Sequence, residues 1–527
     1  MKKLIAMLLA ALMLLTLVAC GGGGEEAKDP AAEGEATGGV QKTLTIGTAQ
    51  DINNLNPQMQ NDQINNNAIT LSHQCLIYLT NDAAETGITY VPGLAESWEW
   101  EDDNTLVFHL VEGAKFSTGA ELTAEDCVFT FEMAMAPEAA ISGTLKMLTG
   151  VEARDPYTFV VKTTAYSNDL LSQLAGRPVV IQSKEAWESG MEEPWMIGSG
   201  QYLFSNWVEG QYVKYVKNPD YWGNDITEGI MAPGVAEEII FKPILEAASR
   251  VIALQNGEID VCIDPPTTEL QFLEKDDGVV VHTQAGTRLF YLGFNCDKAP
   301  FDNQTLRQAV SCAIDKQAIV DIVLGGLGKT QNTVVNRGVP TFYDEEDLGA
   351  YTYDVERAKQ LLAEAGYQPG ELTVKLTAAT DDPYKTIAPI IQANLKEIGI
   401  NVEIVSLDQA TLKTACKDGD QEMFLWRWNV VDRLGEIFNE LFCSGYASNF
   451  HHFYDPEVDA AANQIMIEKD PEARVQESIE LQKYLAEACP QVPMYVADLV
   501  IAYRDGLTGT YLFGGGNHVW THAYVAQ

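Results

Sequence analysis

Seven histidines occur in the chain, at His73, His109, His282, His451, His452, His518 and His522, and none stands in the H-E-x-x-H pattern of a zinc hydrolase. No G-x-S-x-G turn presents a serine nucleophile. Gly328-Lys329-Thr330 looks like the end of a phosphate-binding loop. Position 323 is Val, however, where such a loop needs its first glycine, and a helical run precedes it in place of a strand. His451-His452 offers two imidazoles side by side. Adjacent histidines rarely converge on one ion without a third ligand, so the pair reads as exposed polar surface. Acidic residues are abundant, and a carboxylate pair that hydrolyses glycosides needs no short motif, so hydrolysis stays as the alternative chemistry.

Nine cysteines carry the remaining reactive groups: Cys20, Cys75, Cys127, Cys262, Cys296, Cys312, Cys416, Cys443 and Cys489. Cys20 is set apart by what precedes it. Lys2 and Lys3 are followed by an apolar run from Leu4 to Val18, interrupted only by Thr16, which ends in Leu17-Val18-Ala19-Cys20. Such a run fits a secretory signal better than a membrane span of about 20 residues. Its ending resembles the lipobox of bacterial lipoproteins, so Cys20 is the expected lipidation residue and residues 1–20 the signal with its lipobox. Residues 21–40, rich in Gly, Ala and Glu, read as a flexible linker. The other eight cysteines are scattered with no C-x-x-C pair and read as buried free thiols. No later stretch is apolar for long enough to span a membrane.

The elements that would position any site are of mixed α/β type. The chain has 527 residues, 46% of them hydrophobic, which fits a globular protein of several domains. Its 34 Lys+Arg against 75 Asp+Glu give a net charge of −41. A polyanion of this kind does not bind nucleic acid by counterion release. Alternating apolar residues predict strands at Thr43 to Gly47, Thr105 to Val111, Leu372 to Leu376 and Asn401 to Val405. Thr123 with Asp126 three positions on predicts a capped helix. One long helix is expected from Asp302 to Leu324, stopped by Gly325-Gly326. A second should start at Asp354 and stop at Gly366, and a third should run from Ile387 to Ile398 and stop at Gly399. The last of these lies between two strands, a βαβ unit whose crossover should be right-handed.

Collinear blocks then carry a family resemblance. They begin with Tyr90-Val-Pro-Gly-Leu-Ala-Glu-Ser-Trp98, Asp102-Asp103-Asn104, Lys115-Phe116 and Leu122-Thr-Ala-Glu-Asp126. They continue with Gly198-Ser-Gly-Gln-Tyr202, Asn218-Pro-Asp-Tyr-Trp-Gly223, Leu254-Gln-Asn-Gly-Glu-Ile-Asp260, Ala313-Ile-Asp-Lys316 and Leu395-Lys-Glu-Ile-Gly-Ile400. Together these resemble the peptide/nickel (family 5) extracellular solute-binding proteins of ABC importers, of lipoprotein type. The resemblance implies an α/β fold: a two-lobed periplasmic-binding-protein-like clamp with an extra domain inserted in the first lobe. Lobe one would combine 41–83, 196–284 and 497–527, with the extra domain at 84–195 and lobe two at 285–496.

It also implies a binding protein rather than an enzyme, without a cofactor or metal. A peptide-like solute would be enclosed between the lobes and delivered to ABC permease subunits. The protein would be a monomer, lipid-anchored on the extracytoplasmic face of the cell membrane. A nickel chelate, haem or an oligosaccharide is the alternative ligand. By the same resemblance, Trp426 to Arg433 is the ligand-side stretch. Trp428, Asn429 and Val430 would offer main chain and wall, and Asp432 would hold an amine. Arg433-Leu434-Gly435 follows where relatives usually carry a second Asp-Pro, so Arg427 and Arg433 are the expected partners of an anionic group instead. Asn53, Asn54 and Leu55 from lobe one, with Tyr291 and Asn295 from lobe two, complete the expected contacts.

Overall fold

The computed structural model describes residues 41–60, 62–82, 87–176, 179–335, 351–429, 433–512, 516 and 518–526. Cys20, Val430 and Asp432 lie outside them.

Thr43–Thr48 buries Leu44 and Ile46 while its threonines at 43 and 45 stay half-buried, the alternation that marks a half-covered strand. It pairs in parallel with Glu238–Pro243 on one side and Val261–Ile263 on the other. Four antiparallel strands complete a seven-stranded sheet. Tyr212–Lys217 and Tyr202–Val208 lie beyond one side, and Leu499–Arg504 and Val279–Gln284 beyond the other. A smaller four-stranded sheet, Ala95–Asp102, Thr105–Leu110, Thr158–Thr163 and Leu148–Asp155, packs on the helix Ala124–Met135. That helix carries the expected capping box: the Asp126 carboxylate accepts from the Thr123 backbone N–H at 3.0 Å. Phe108 and Phe159 of the small sheet share one continuous core with Ile46 and Ile239 of the large one.

A second, separate core lies around a six-stranded sheet, in the order Gly328–Thr330, Gln491–Ala497, Arg288–Phe294, Met423–Asn429, Thr373–Ala379, Asn401–Leu407. Thr373–Ala379 and Asn401–Leu407 are parallel, joined by the helix Tyr384–Glu397, and Gly399 follows it at φ 89°. Gly328-Lys329-Thr330 is thus a short edge strand, not a loop at a helix start.

The long helix expected from Asp302 to Leu324 is two helices, Gln304–Ala313 and Lys316–Leu324. Ile314 is extended, and the Asp315 side chain accepts from the Ala318 N–H to cap the second helix. A carboxylate can offer a helix start as well as sit in a helix, and here local capping wins over the continuous apolar stripe. The expected exposed histidine pair is overturned as well. His451 is 0% exposed, and its Nδ1 bonds the Leu441 carbonyl at 3.0 Å. Its neighbour His452 is half-buried. The imidazole's apolar faces explain this: the ring stacks between Tyr291 and Phe442.

The chain passes between the two large sheets twice, at residues 285–287 and at Asp498. The two passages lie against each other. A Cβ on Gly286 would sit 2.2 Å from the Ala497 carbonyl oxygen, so only glycine fits there. Each of the eight described cysteines is a free thiol, all buried except the half-buried Cys296. No helix among the described residues is long and apolar enough to cross a membrane.

Candidate functional site

Met423–Asn429 runs from core to surface: its first four residues are buried, Arg427 and Trp428 are half-buried and Asn429 is exposed. Along one side it is paired with Arg288–Phe294 over its whole length. On the other side, pairing with Thr373–Ala379 covers only Met423 and Phe424. From Leu425 onward that edge continues without a registered partner strand among the described residues.

Strand alternation sends neighbouring side chains to opposite faces. Phe424, Trp426 and Trp428 share one face with Tyr291, which lies opposite Trp426. Arg427 is on the other face, opposite Phe290. Arg288, two residues before Phe290, lies on that face as well. Phe290 stacks on Tyr495 at 4.8 Å between centroids, and Tyr384 tilts against it at 6.0 Å. The result is a cluster of two guanidiniums and three aromatic rings at the end of the sheet nearest the crossover. Burial, and then the Arg427 charge, push the Arg288 guanidinium below its ordinary pKa. Burial pushes the Tyr384 hydroxyl up to about 12, against the downward pull of Arg427 and Arg288. From the seven-stranded sheet, Asp264 follows Val261–Ile263 at φ 51° and lies within electrostatic reach of Arg288. Desolvation by the surrounding protein raises its carboxyl pKa, against the pull of Arg250 and Arg288, although part of the residue still meets solvent.

The other expected site residues are placed as follows. Arg433 precedes the helix Leu434–Phe442 and pairs with Glu436 at 2.7 Å, with only 12% of its side chain exposed. Trp428 packs against the six-stranded core. Tyr291 is 0% exposed among Trp426, Phe424 and His451. Asn295 donates to the carbonyls of Gly419 and Gln421 at 3.0 and 3.2 Å, fastening a loop. In the first lobe, Asn53 is exposed and exchanges hydrogen bonds with Asn65. Asn54 donates to the Met59 carbonyl, and Leu55 belongs to the first core. Arg427 is thus the expected residue that the structure brings into a charged cluster. Its companions Arg288, Tyr384, Tyr495 and Asp264 are not marked by any short motif. Only Arg288 left a sequence signal, a lone charge opening the apolar run Leu289 to Phe294 after Gly286-Thr287.

Gly435 explains part of the departure from the family pattern. A Cβ there would come 2.6 Å from Met466 and 3.1 Å from the Asp169 carboxylate. Asp169 accepts from the Glu436 N–H at 2.6 Å and pairs with Arg474 at 2.8 Å, its own side chain 0% exposed. Asp169 belongs to the helix Asp169–Gly176, whose Leu170 and Leu174 lie in the first core, whereas Ile437 and Ile465 beside Glu436 and Met466 lie in the second. Gln173 adds a bond to Glu436 at 3.0 Å.

The sequence profile of the bacterial extracellular solute-binding proteins, family 5 Middle, matches residues 89–450. Heme-binding protein A of Haemophilus influenzae is 28% identical over 438 residues, which cover 76% of this chain and 78% of that protein. The probable D,D-dipeptide-binding periplasmic protein DdpA of Escherichia coli is 28% identical over 486 residues, 88% of this chain and 90% of its own. The structure of HbpA2 from Haemophilus parasuis superposes with a TM-score of 0.80 at 24% identity, covering 91% of this chain and 99% of that one, so the two-lobed fold is shared. The chain belongs to the bacterial extracellular solute-binding proteins of family 5, binding proteins of ABC importers and not enzymes.

Proposed function

We propose that this protein captures a peptide-like solute between its two lobes and hands it to a membrane permease. The observation that carries this reading is the open edge of Met423–Asn429 beyond Phe424, which lies beside a charged cluster near the crossover. An extended main chain has alternating donors and acceptors and can add to such an edge as a strand would. Its side chains then point alternately away from the sheet, so one site accepts many sequences. Asn429 ends that edge, and by the family resemblance Val430 adds to the ligand wall and Asp432 takes the ligand's amine. Relatives described as dipeptide-binding support the peptide class, and the heme-binding relative supports haem as the alternative. Protein purified without denaturation should carry short peptides that mass spectrometry identifies on release, with masses unchanged after long incubation. Haem, a sugar or a metal chelate in their place would overturn the peptide class.

The site is held at the outer face of the membrane by acylated Cys20, with residues 21–40 as tether. Two or more acyl chains anchor stably where one is marginal. Cys20→Ala should abolish fatty-acid labelling in cells and leave the signal uncleaved. Labelled, processed Cys20→Ala protein would disprove the anchor.

A further inference from the structure

Arg250 and Arg307 are buried alike, 2% and 4% exposed, and grip the main chain in the same way. Each is the fourth residue of its helix, Ala247–Gln255 packed on the seven-stranded sheet and Gln304–Ala313 in the core of the six-stranded one. Each Nη1 donates to the carbonyls six and five positions earlier: Ile244 at 2.5 Å and Leu245 at 3.4 Å, Phe301 at 2.7 Å and Asp302 at 3.4 Å. The rest of each fork closes on a distant pair of carbonyls. Nε and Nη2 of Arg250 take Ile263 at 3.0 Å and Asp264 at 2.8 Å, and those of Arg307 take Cys489 at 3.0 Å and Ala488 at 2.6 Å. Asp264 and Cys489 are left-handed, at φ 51° and 52°, and a proline follows each. They are two of the three non-glycine residues with positive φ among the described ones. Such a backbone is costly for an L side chain and persists only where its surroundings over-determine it, which a planar fork of fixed donors does.

The twins differ in the side chain so held. Cys489 is buried and its thiol lies 3.8 Å from the Gln491 carbonyl, so local packing accounts for its conformation. Asp264 still meets solvent, and among the described residues its carboxylate has no hydrogen bond or ion pair, so no side-chain contact accounts for its backbone. Its place in the fold does. Ile263 lies opposite Ile501 and Thr283 opposite Val500, so Asp264 reaches the level of Thr283, where the chain leaves the seven-stranded sheet for residues 285–287. Arg288 opens the strand beyond that passage and is within electrostatic reach of Asp264. Arg427 crowds the Arg288 charge, and Asp264 offsets that repulsion from the other sheet.

We propose that Arg250 is a positioning residue of the clamp: it holds Asp264 left-handed at the crossover end of the seven-stranded sheet, so that this carboxylate attracts Arg288 across the chain passage and biases the two sheets toward the closed arrangement. Arg250 cannot serve as the partner itself, because its donors are committed to four carbonyls. Arg307 is the same grip without that task, since the residue it holds is buried in its own core. The inference uses the two-lobed fold and not the class of solute.

The test measures the radius of gyration and the melting temperature of ligand-stripped protein, at low salt and at roughly 0.5 M NaCl, where charges are screened within a few Å. The proteins are wild type, Asp264→Asn, Arg250→Lys, Arg307→Lys and the double variant Arg250→Lys/Asp264→Asn. Asparagine tolerates the left-handed backbone, so Asp264→Asn should melt as wild type does. At low salt it should be the more expanded, with the open-to-closed ratio raised about threefold, the weight of a partly exposed pair. That difference from wild type should shrink at high salt. Arg250→Lys keeps the charge and loses the fork, so it should melt lower and expand as Asp264→Asn does. Arg307→Lys should melt lower with the wild-type radius. The double variant should be no more expanded than Arg250→Lys, because the arginine acts through that carboxylate. Asp264→Asn changes no buried contact and folds even where Arg250→Lys does not, so a wild-type radius in it would overturn the proposal. Equal expansion in Arg250→Lys and Arg307→Lys would overturn the positioning role and leave a loss of stability alone. No ligand enters the measurement, so its failure leaves the peptide reading standing.

Discussion

His73, His451 and His518 are buried, and desolvation holds each of them down to about 4. Each is therefore neutral in the folded protein at pH 7. In the unfolded chain a histidine titrates near 6.5, so between that pH and 4 the unfolded state takes up protons that the folded state refuses. Their contribution to stability is complete above pH 6.5 and is lost as the pH falls through this window. Between pH 6.5 and 5 the loss is about 2 kcal/mol per histidine. Urea unfolding should accordingly show a lower midpoint at pH 5 than at pH 7, and equal midpoints would contradict the burial of these rings. At the same scale, Arg427 and Arg433 look alike in the sequence as cations near Asp432. What separates them is Glu436, one helical turn after Arg433, which pairs with it and leaves Arg427 as the guanidinium facing Tyr384 and Tyr495.

Secondary structure was most legible where one local rule acts alone. The alternation in Thr43–Thr48, the capping box at Thr123 and the strand–helix–strand unit from Thr373 to Leu407 all appear where periodicity and capping put them. Misreading came where two local rules competed, as at Asp315, whose carboxylate starts a new helix inside a continuous apolar stripe. It came again at His451, whose polarity suggested surface although its ring faces fill a slot between Tyr291 and Phe442. The charged cluster was the least legible part. Arg288, Tyr384, Arg427 and Tyr495 come from four elements spread over more than two hundred positions, and the sheet order that joins them is a long-range property. The strand containing Trp426 to Asn429 was found by resemblance, whereas the direction of each side chain required the register with Arg288–Phe294.

At the scale of the whole molecule, two cores are joined by two adjacent chain passages and by the contacts around Asp169. Passages as short as residues 285–287 and Asp498 give a hinge in which few dihedral angles need change. Asp169, on a helix of the first core, reaches the second: it pairs with Arg474 and accepts from the Glu436 N–H, with Lys469 and Asp103 forming a further exposed pair. Removing one member of a buried pair typically costs about 3–5 kcal/mol, because the other is left uncompensated. Asp169→Ala should therefore shift the free protein toward the open form. A solute that touches both lobes binds the closed form better, and that difference alone moves the population. The most direct test of the clamp is small-angle scattering of ligand-stripped protein before and after adding the compounds released from native protein. The account predicts that the radius of gyration falls when they bind, and falls further in Asp169→Ala, which starts more open. A radius unchanged in both proteins, with binding verified by calorimetry, would contradict capture between two lobes.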